Sequence, residues 1–335
     1  MKFRKATAIA ATMLMLFVFV KMNGDVSSFI ATVKTEDATA VFSSSQTLTD
    51  EEKKQLYNAI VVEAESKTIP PVDAKIDRVW RAIPGYNGLV VDIEKTYETA
   101  LRSPRDDAIP FRYKEIKPHI SLNELGPQPI YRGNPNKAMI SLMINVAWGN
   151  EYIEPILETL ESKGVKATFF LDGSWLKKNV DMAKKIQDAG HELSNHAYSH
   201  PDMKNLGRAE QYNQIAKTED LLKQLLNVEN KWFAPPSGSF NESTVQIARE
   251  QGLQTVLWTI DTVDWRKPPA AAVIRKINAN LTPGALILMH PTATTRDALA
   301  GIIDSAKAKG YAIGTVSETL SSDRILPSVE GANVF

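Results

Sequence analysis

From Ala138 onward the chain alternates apolar stretches of strand length with amphipathic stretches of helix length. The strand candidates are 138–144, 167–171, 191–194, 231–234, 255–260, 285–289 and 311–313. Between them apolar residues recur at three- and four-residue spacing, as in Ile153, Ile156, Leu157 and Leu160, and in Val273, Ile274, Ile277 and Leu281. Gly164, Gly190, Gly252 and Gly310 follow the helical stretches, where a left-handed residue closes a helix. Strands alternating with helices pair in parallel through right-handed crossovers. The expected fold is therefore α/β, a distorted (β/α) barrel with seven or eight parallel strands. An open doubly wound sheet fits the same pattern, and the barrel is favoured.

In both architectures active sites form at the C-terminal ends of the strands. Asn145, Val146, Trp148 and Gly149 lie after the first strand, and Asn195, His196 and His200 after the third. Pro235, Pro236, Ser237 and Gly238 follow the fourth, Asp261, Asp264 and Trp265 the fifth, and His290 the sixth. The chain has 5 histidines. Three of them, His191, His196 and His200, fall close together, and neutral imidazole is the commonest metal ligand among side chains. His196 and His200 at four-residue spacing would share one face of a helical turn and reach one ion. With no cysteine, disulfides, thiolate metal sites and thiol catalysis are excluded. Lys+Arg and Asp+Glu both number 39, so no global field favours nucleic acid or an anionic membrane, and no nucleic-acid partner is expected.

The N-terminus has the layout of an export signal. Lys2, Arg4 and Lys5 precede an apolar run from Ala6 to Val20, closed by Lys21. The run is short for a full membrane span, and the nearest small-x-small site is Ala38-Thr39-Ala40. Residues 1–22 are read as a signal anchor or a cleaved signal peptide, with the body outside the cytoplasm and membrane contact only through this segment. Residues 23–48 are a polar linker and 49–125 a small α/β domain of unknown role. In that domain a helix is expected from Asp50 to about Glu65, capped by Thr49 or Asp50, and a strand at 88–92 runs into a helix. Pro and Gly cluster from Gly126 to Pro135 as a boundary or irregular strap. The main domain spans 126–325, and 326–335 is a tail.

The residues at the strand ends also carry a resemblance. Residues 138–320 resemble the NodB-type polysaccharide deacetylases (carbohydrate esterase family four), and more narrowly a spore-associated bacterial branch whose first motif ends in Trp-Gly. The matching text is His-Ala-Tyr-Ser-His from His196 to His200, Asp-Thr-Val-Asp-Trp from Asp261 to Trp265, and Leu-Met-His from Leu288 to His290. Lys-Ala-Thr-Phe-Phe from Lys166 and Gly-His-Glu-Leu from Gly190 match the family framework. The resemblance implies metal-dependent hydrolysis of N-acetyl groups on peptidoglycan or a related cell-wall polysaccharide, outside the cytoplasm. It implies a divalent metal, often zinc, on His196 and His200, with His290 as general acid oriented by Asp264. Trp265 and Leu288 would line the acetyl pocket, with Pro235, Pro236 and Trp148 as further substrate contacts.

The sequence departs from the family pattern at motif one. Asn145 stands at the position of the catalytic-base aspartate and Val146 at that of the metal-binding aspartate. An amide cannot act as a base at useful pH, and valine ligates nothing. Ala234 stands where an arginine normally pairs with the base, and Ser237 where an aromatic residue is usual. Losing both charged partners avoids an unpaired charge in a partly buried site. Without its base the activity is expected to be lowered by roughly 10²–10⁴-fold. The alternative is a catalytically impaired glycan-binding or structural cell-wall protein that keeps the pocket.

Overall fold

The computed structural model describes residues 48–103 and 108–325. The signal segment 1–22, nearly all of the linker and the tail 326–335 lie outside the described residues. No described helix is long and apolar enough to cross a membrane. The chain divides into two compact units, Met1–Ala59 and Ile60–Phe335. The first contributes the opening turns of α1 (Asp50–Ser66). Thr49 caps this helix reciprocally: Glu52 N donates to Thr49 Oγ1 at 3.3 Å and Thr49 N donates to Glu52 Oε2 at 2.7 Å.

Within the second unit, residues 60–125 form two short antiparallel pairs and a helix. Strand β1 (Lys75–Asp77) pairs with β2 (Arg81–Ile83), and β3 (Gly88–Val91) with β4 (Tyr113–Ile116). Helix α2 (Ile93–Ala100) follows β3, and its N-cap Asp92 accepts from Lys95 N at 3.1 Å.

The barrel strands are β5 (Met139–Val146), β6 (Thr168–Leu171), β7 (Glu192–Asn195), β8 (Trp232–Phe233), β9 (Gln254–Thr255), β10 (Ile260–Asp261), β11 (Leu286–Met289) and β12 (Ala312–Gly314). Between and after them lie α3 (Asn150–Ser162), α4 (Gly173–Lys178), α5 (Val180–Asp188), α6 (Arg208–Leu226), α7 (Glu242–Glu250), α8 (Ala270–Asn280), α9 (Ala293–Ala308) and α10 (Val316–Leu320). The order is β10-β11-β5-β6-β7-β8-β9, every pair is parallel, and β12 pairs with the start of β5.

The core forms two layers because strand side chains alternate. On β5, Ile140, Leu142, Ile144 and Val146 pack outward with Phe169, Ile287 and the helices. Met143 points inward with Phe170, Trp232, Ala234 and Leu286. Every residue of β5 is buried, as befits a strand covered on both faces. Full burial of one such aliphatic side chain contributes about 1.5–3 kcal/mol.

The fifth strand candidate, 255–260, divides into β9 and β10, which do not pair with each other. The strap fills this gap. Ile130, fully buried, donates its N–H to Thr255 O at 2.9 Å and accepts from Leu257 N at 2.8 Å. Thr259 Oγ1 donates to Tyr131 O at 2.7 Å. Polar groups that a continuous strand would have paired are thus satisfied by the Gly/Pro-flanked segment. Ile130 also bridges Arg81 and Ala82, tying β2 to the barrel.

Candidate active site

His196 follows β7 directly, yet the segment to His200 is a loop rather than the expected helical turn. Ala197 (φ 59°) and His200 (φ 53°) both adopt left-handed backbone, which breaks helical geometry twice. The loop is held from behind. Asn195 Oδ1 accepts from Ala197 N at 2.8 Å, while its Nδ2 donates to Ile215 O and to Glu219 at 2.9 and 2.7 Å. Gln214 Oε1, on α6, accepts from Tyr198 N and Ser199 N at 3.1 and 3.0 Å. The two imidazoles still meet, edge to face, with centroids 5.2 Å apart.

The two rings have different surroundings. His196 is buried, and its Nδ1 lies 2.7 Å from Ala234 O. A carbonyl only accepts, so Nδ1 carries the hydrogen and Nε2 keeps a free lone pair. Burial first, and then the neighbouring His200 ring, press the His196 pKa down to about 3, so the ring is neutral at physiological pH. His200 is exposed at the rim of a depression of about 560 Å³ that Ser237, Gly238 and Phe240 help to line.

A second cluster stands at the ends of β10 and β11. Asp264 is fully buried. Its Oδ1 accepts from His290 Nδ1 at 2.8 Å and its Oδ2 from His290 N at 2.6 Å, with Thr295 Oγ1 as a further donor. Burial alone would raise this carboxyl's pKa. The hydrogen bonds from His290 and Thr295 outweigh it and hold the pKa below the usual 3.8. Because Nδ1 donates to the carboxylate, Nε2 is the nitrogen of His290 that Asp264 leaves free. Asp261 caps its own turn, accepting from Val263 N at 2.7 Å. Leu288 is buried in the same strand phase as inward-facing Leu286.

Two tryptophans flank these residues. Trp265 is 50% exposed, with the Arg266 guanidinium 4.7 Å from its ring centroid. Trp148 is 47% exposed and stacks on His290, ring centroids 6.1 Å apart and planes 7° apart. Gly149 permits this approach. Its φ is +85°, and a Cβ there would fall 2.1 Å from Pro291 O.

At the end of β5, Asn145 is buried, and its Oδ1 has no hydrogen-bond partner among the described residues. Val146 packs in the outer layer, facing the helices. Ala234 faces the inner layer, so no charged side chain stands at that position to meet residue 145. Pro235 and Pro236 are buried, and Ser237 is exposed with φ 54°.

Residues 132–256 match the family described as Polysaccharide deacetylase. Over 326 residues the chain is 41% identical to the uncharacterized protein YlxY of Bacillus subtilis (strain 168), covering 97% of this chain and 99% of that one. Over 199 residues it is 35% identical to a peptidoglycan-N-acetylglucosamine deacetylase of Bacillus cereus, covering 58% and 72%. The chain belongs to the polysaccharide deacetylase family. It is also similar to a crystal structure from Bacillus anthracis described as a CE4 family pseudoenzyme, with TM-score 0.76 and 44% identity over 81% of this chain and 96% of that one. A mutant of that pseudoenzyme, described as having restored enzymatic activity, matches with TM-score 0.75 and 43% identity over 81% and 99%.

Family membership raises the question of a metal. No group of three or more His, Cys, Asp or Glu that could hold a metal ion is present among the described residues. The candidate donors are two imidazoles 5.2 Å apart, His196 held neutral by burial, and the unpartnered amide oxygen of Asn145 at the end of β5. Such a set suits a divalent cation but offers fewer ligands than the usual three-residue site.

The sequence missed the residues that hold this deacetylase-family site in place. Gly149 was signalled only as part of the Trp-Gly pair. Asn195 was visible as a polar residue closing an apolar strand. Gln214 and Thr295 left no signal, being ordinary polar residues on helices whose partners are distant in sequence.

Proposed function

We propose that this chain binds N-acetylated cell-wall polysaccharide, peptidoglycan foremost, at the C-terminal end of its barrel and removes N-acetyl groups slowly. The observation that carries the reading is Asn145: an unpartnered amide at the base position, in a site whose Asp264–His290 pair is intact. Hydrolysing an acetamide needs an activated water, a stabilised oxyanion and a proton for the departing amine. His290 serves the last need. Asp264 holds Nδ1–H, and a protonated Nε2 delivers its proton to the leaving nitrogen. Asn145 can orient a water by hydrogen bonding and cannot take its proton, which passes to bulk solvent.

His196 and His200 would hold a divalent cation such as zinc, which when bound supplies Lewis acidity and acidifies a water. Leu288 and Trp265 form the wall for the acetyl methyl, and Trp148 offers a face for a sugar ring. Buried Pro235 and Pro236 shape the opposite wall, and Ser237 in place of an aromatic leaves it wider. The Bacillus cereus relative supports the substrate class and a site of action outside the cytoplasm. Segment 1–22 would deliver or tether the chain there.

A second reading is a glycan-binding wall protein with no turnover. The joint absence of acid and arginine at Asn145 and Ala234 favours it, as does the likeness to a pseudoenzyme. Acetate release from peptidoglycan, chitin oligomers and acetylxylan separates the two. Slow, chelator-sensitive release supports the first, and binding without release supports the second.

A further inference from the structure

At the opposite end of the barrel, against the N-terminal ends of β8 and β9, lies a cavity of about 610 Å³. One side comes from residues 84–85 and 117–123 of the preceding segment, the other from the barrel base. Lys117, Lys231 and Arg249 all line it, and no carboxylate does. None of the three cations is paired with a carboxylate among the described residues, and Arg249 donates only to Asn123 O, at 3.0 Å. The acids nearby, Glu124, Glu192 and Asp323, hydrogen-bond to neutral groups of Ser121, of Trp232 and Ser317, and of Ser321, and none of them lines the cavity. Two further hollows, of about 570 and 320 Å³, share Lys231 and Ser317 with the first, but Glu318 and Asp323 line one and Glu192 and Glu229 the other, so the single-sign lining is confined to the first.

A concave surface lined by one sign of charge concentrates oppositely charged ligands. Its volume is that of an ordinary small-ligand site. Ammonium and guanidinium groups together suit carboxylate or phosphate oxygens. The floor is mixed: Leu122 is apolar, Asn123 and Gln254 present amides, and Trp232 and Leu320 lie buried beneath them. That mixture suits a sugar ring, which is apolar on its faces and polar at its edge. We propose that this cavity is a second, non-catalytic site that binds an anionic saccharide, a sugar bearing carboxylate or phosphate. The proposal does not depend on hydrolysis at the other end of the barrel.

The test is calorimetric titration of the full chain with three probes. They are a muramic-acid-containing disaccharide, N-acetylglucosamine 1-phosphate and the uncharged tetramer of N-acetylglucosamine. At least one anionic probe should bind, more weakly as salt rises, and the one that binds identifies the oxyanion. Lys117→Glu with Lys231→Glu should weaken that binding roughly tenfold or more, the scale of lost charge-assisted hydrogen bonds. Both lysines are exposed, and the neutral pair Lys117→Met and Lys231→Met checks for any folding defect. His196→Ala with His200→Ala should leave the anionic probe's affinity unchanged. The proposal is overturned if neither anionic probe binds, if charge reversal has no effect, or if the histidine variant abolishes binding.

Discussion

Trp148 lies parallel to His290, with ring centroids 6.1 Å apart and planes 7° apart. Nearly half of the indole remains exposed beside the proposed glycan site. Trp148→Ala should therefore reduce affinity for an N-acetylglucosamine tetramer by roughly 2- to 10-fold, the range expected for losing 0.5–1.5 kcal/mol of stacking. Titration calorimetry reads it directly. Unchanged affinity would mean that the exposed indole face does not touch the sugar.

The same contact depends on Gly149. An alanine there has to place its Cβ against Pro291 O in left-handed backbone. The backbone conformation alone costs about 1–2 kcal/mol, and relief of the clash has to move the His290–Pro291 turn. Gly149→Ala should lower the thermal midpoint by at least about 2–4 °C. A midpoint equal to the parent's would show that the turn yields freely.

Asp264 makes a pH prediction. Its pKa in the fold lies below the ordinary 3.8, so the folded state holds fewer protons than the unfolded chain in that range. The resulting stabilisation is fully present above about pH 4 and is lost as pH falls through the depressed value. Asp264→Asn should cost about 1–3 kcal/mol at pH 7 by weakening the bonds from His290 and Thr295. The cost should shrink on acidification, because the parent loses the same charge. Urea denaturation at pH 7 and pH 3 checks both. A cost that does not depend on pH contradicts the assignment of charge to this carboxyl.

Metal content tests the histidine pair. His196→Ala with His200→Ala should abolish bound divalent metal measured by elemental analysis. His200→Ala alone should weaken it without unfolding the chain, since His200 is exposed. Undiminished stoichiometry in the double variant would place the ion elsewhere.

The sequence revealed the barrel more fully than the site. The strands were legible as short apolar runs between amphipathic helices, but β6 after Thr168 and all of β11 are apolar and buried on both faces, so which side chains point inward was not. The run 255–260 was less legible still, because its consecutive apolar residues conceal a break that Ile130 of the strap fills. At the site, residue types at strand ends marked Asn145, His196, Asp264 and His290. Their arrangement was less legible. The loop carrying the left-handed backbone of Ala197 and His200 is held by Asn195 and by Gln214 of α6, and the Gln214 contacts, 15 and 16 residues away, leave no local pattern. The stacking of Trp148 on His290 arises from a close approach of two loops that only the glycine permits.

In the proposed mechanism Asn145 removes the base and is the largest single obstacle to hydrolysis, beside the ligand position lost at Val146. Acetate release from N-acetylglucosamine oligomers by Asn145→Asp, Asn145→Ala and the parent, with and without chelator, tests it most directly. Asn145→Asp should raise the chelator-sensitive rate by roughly 10²–10⁴-fold, while Asn145→Ala should give no gain. Equal rates for all three proteins would contradict this role of Asn145.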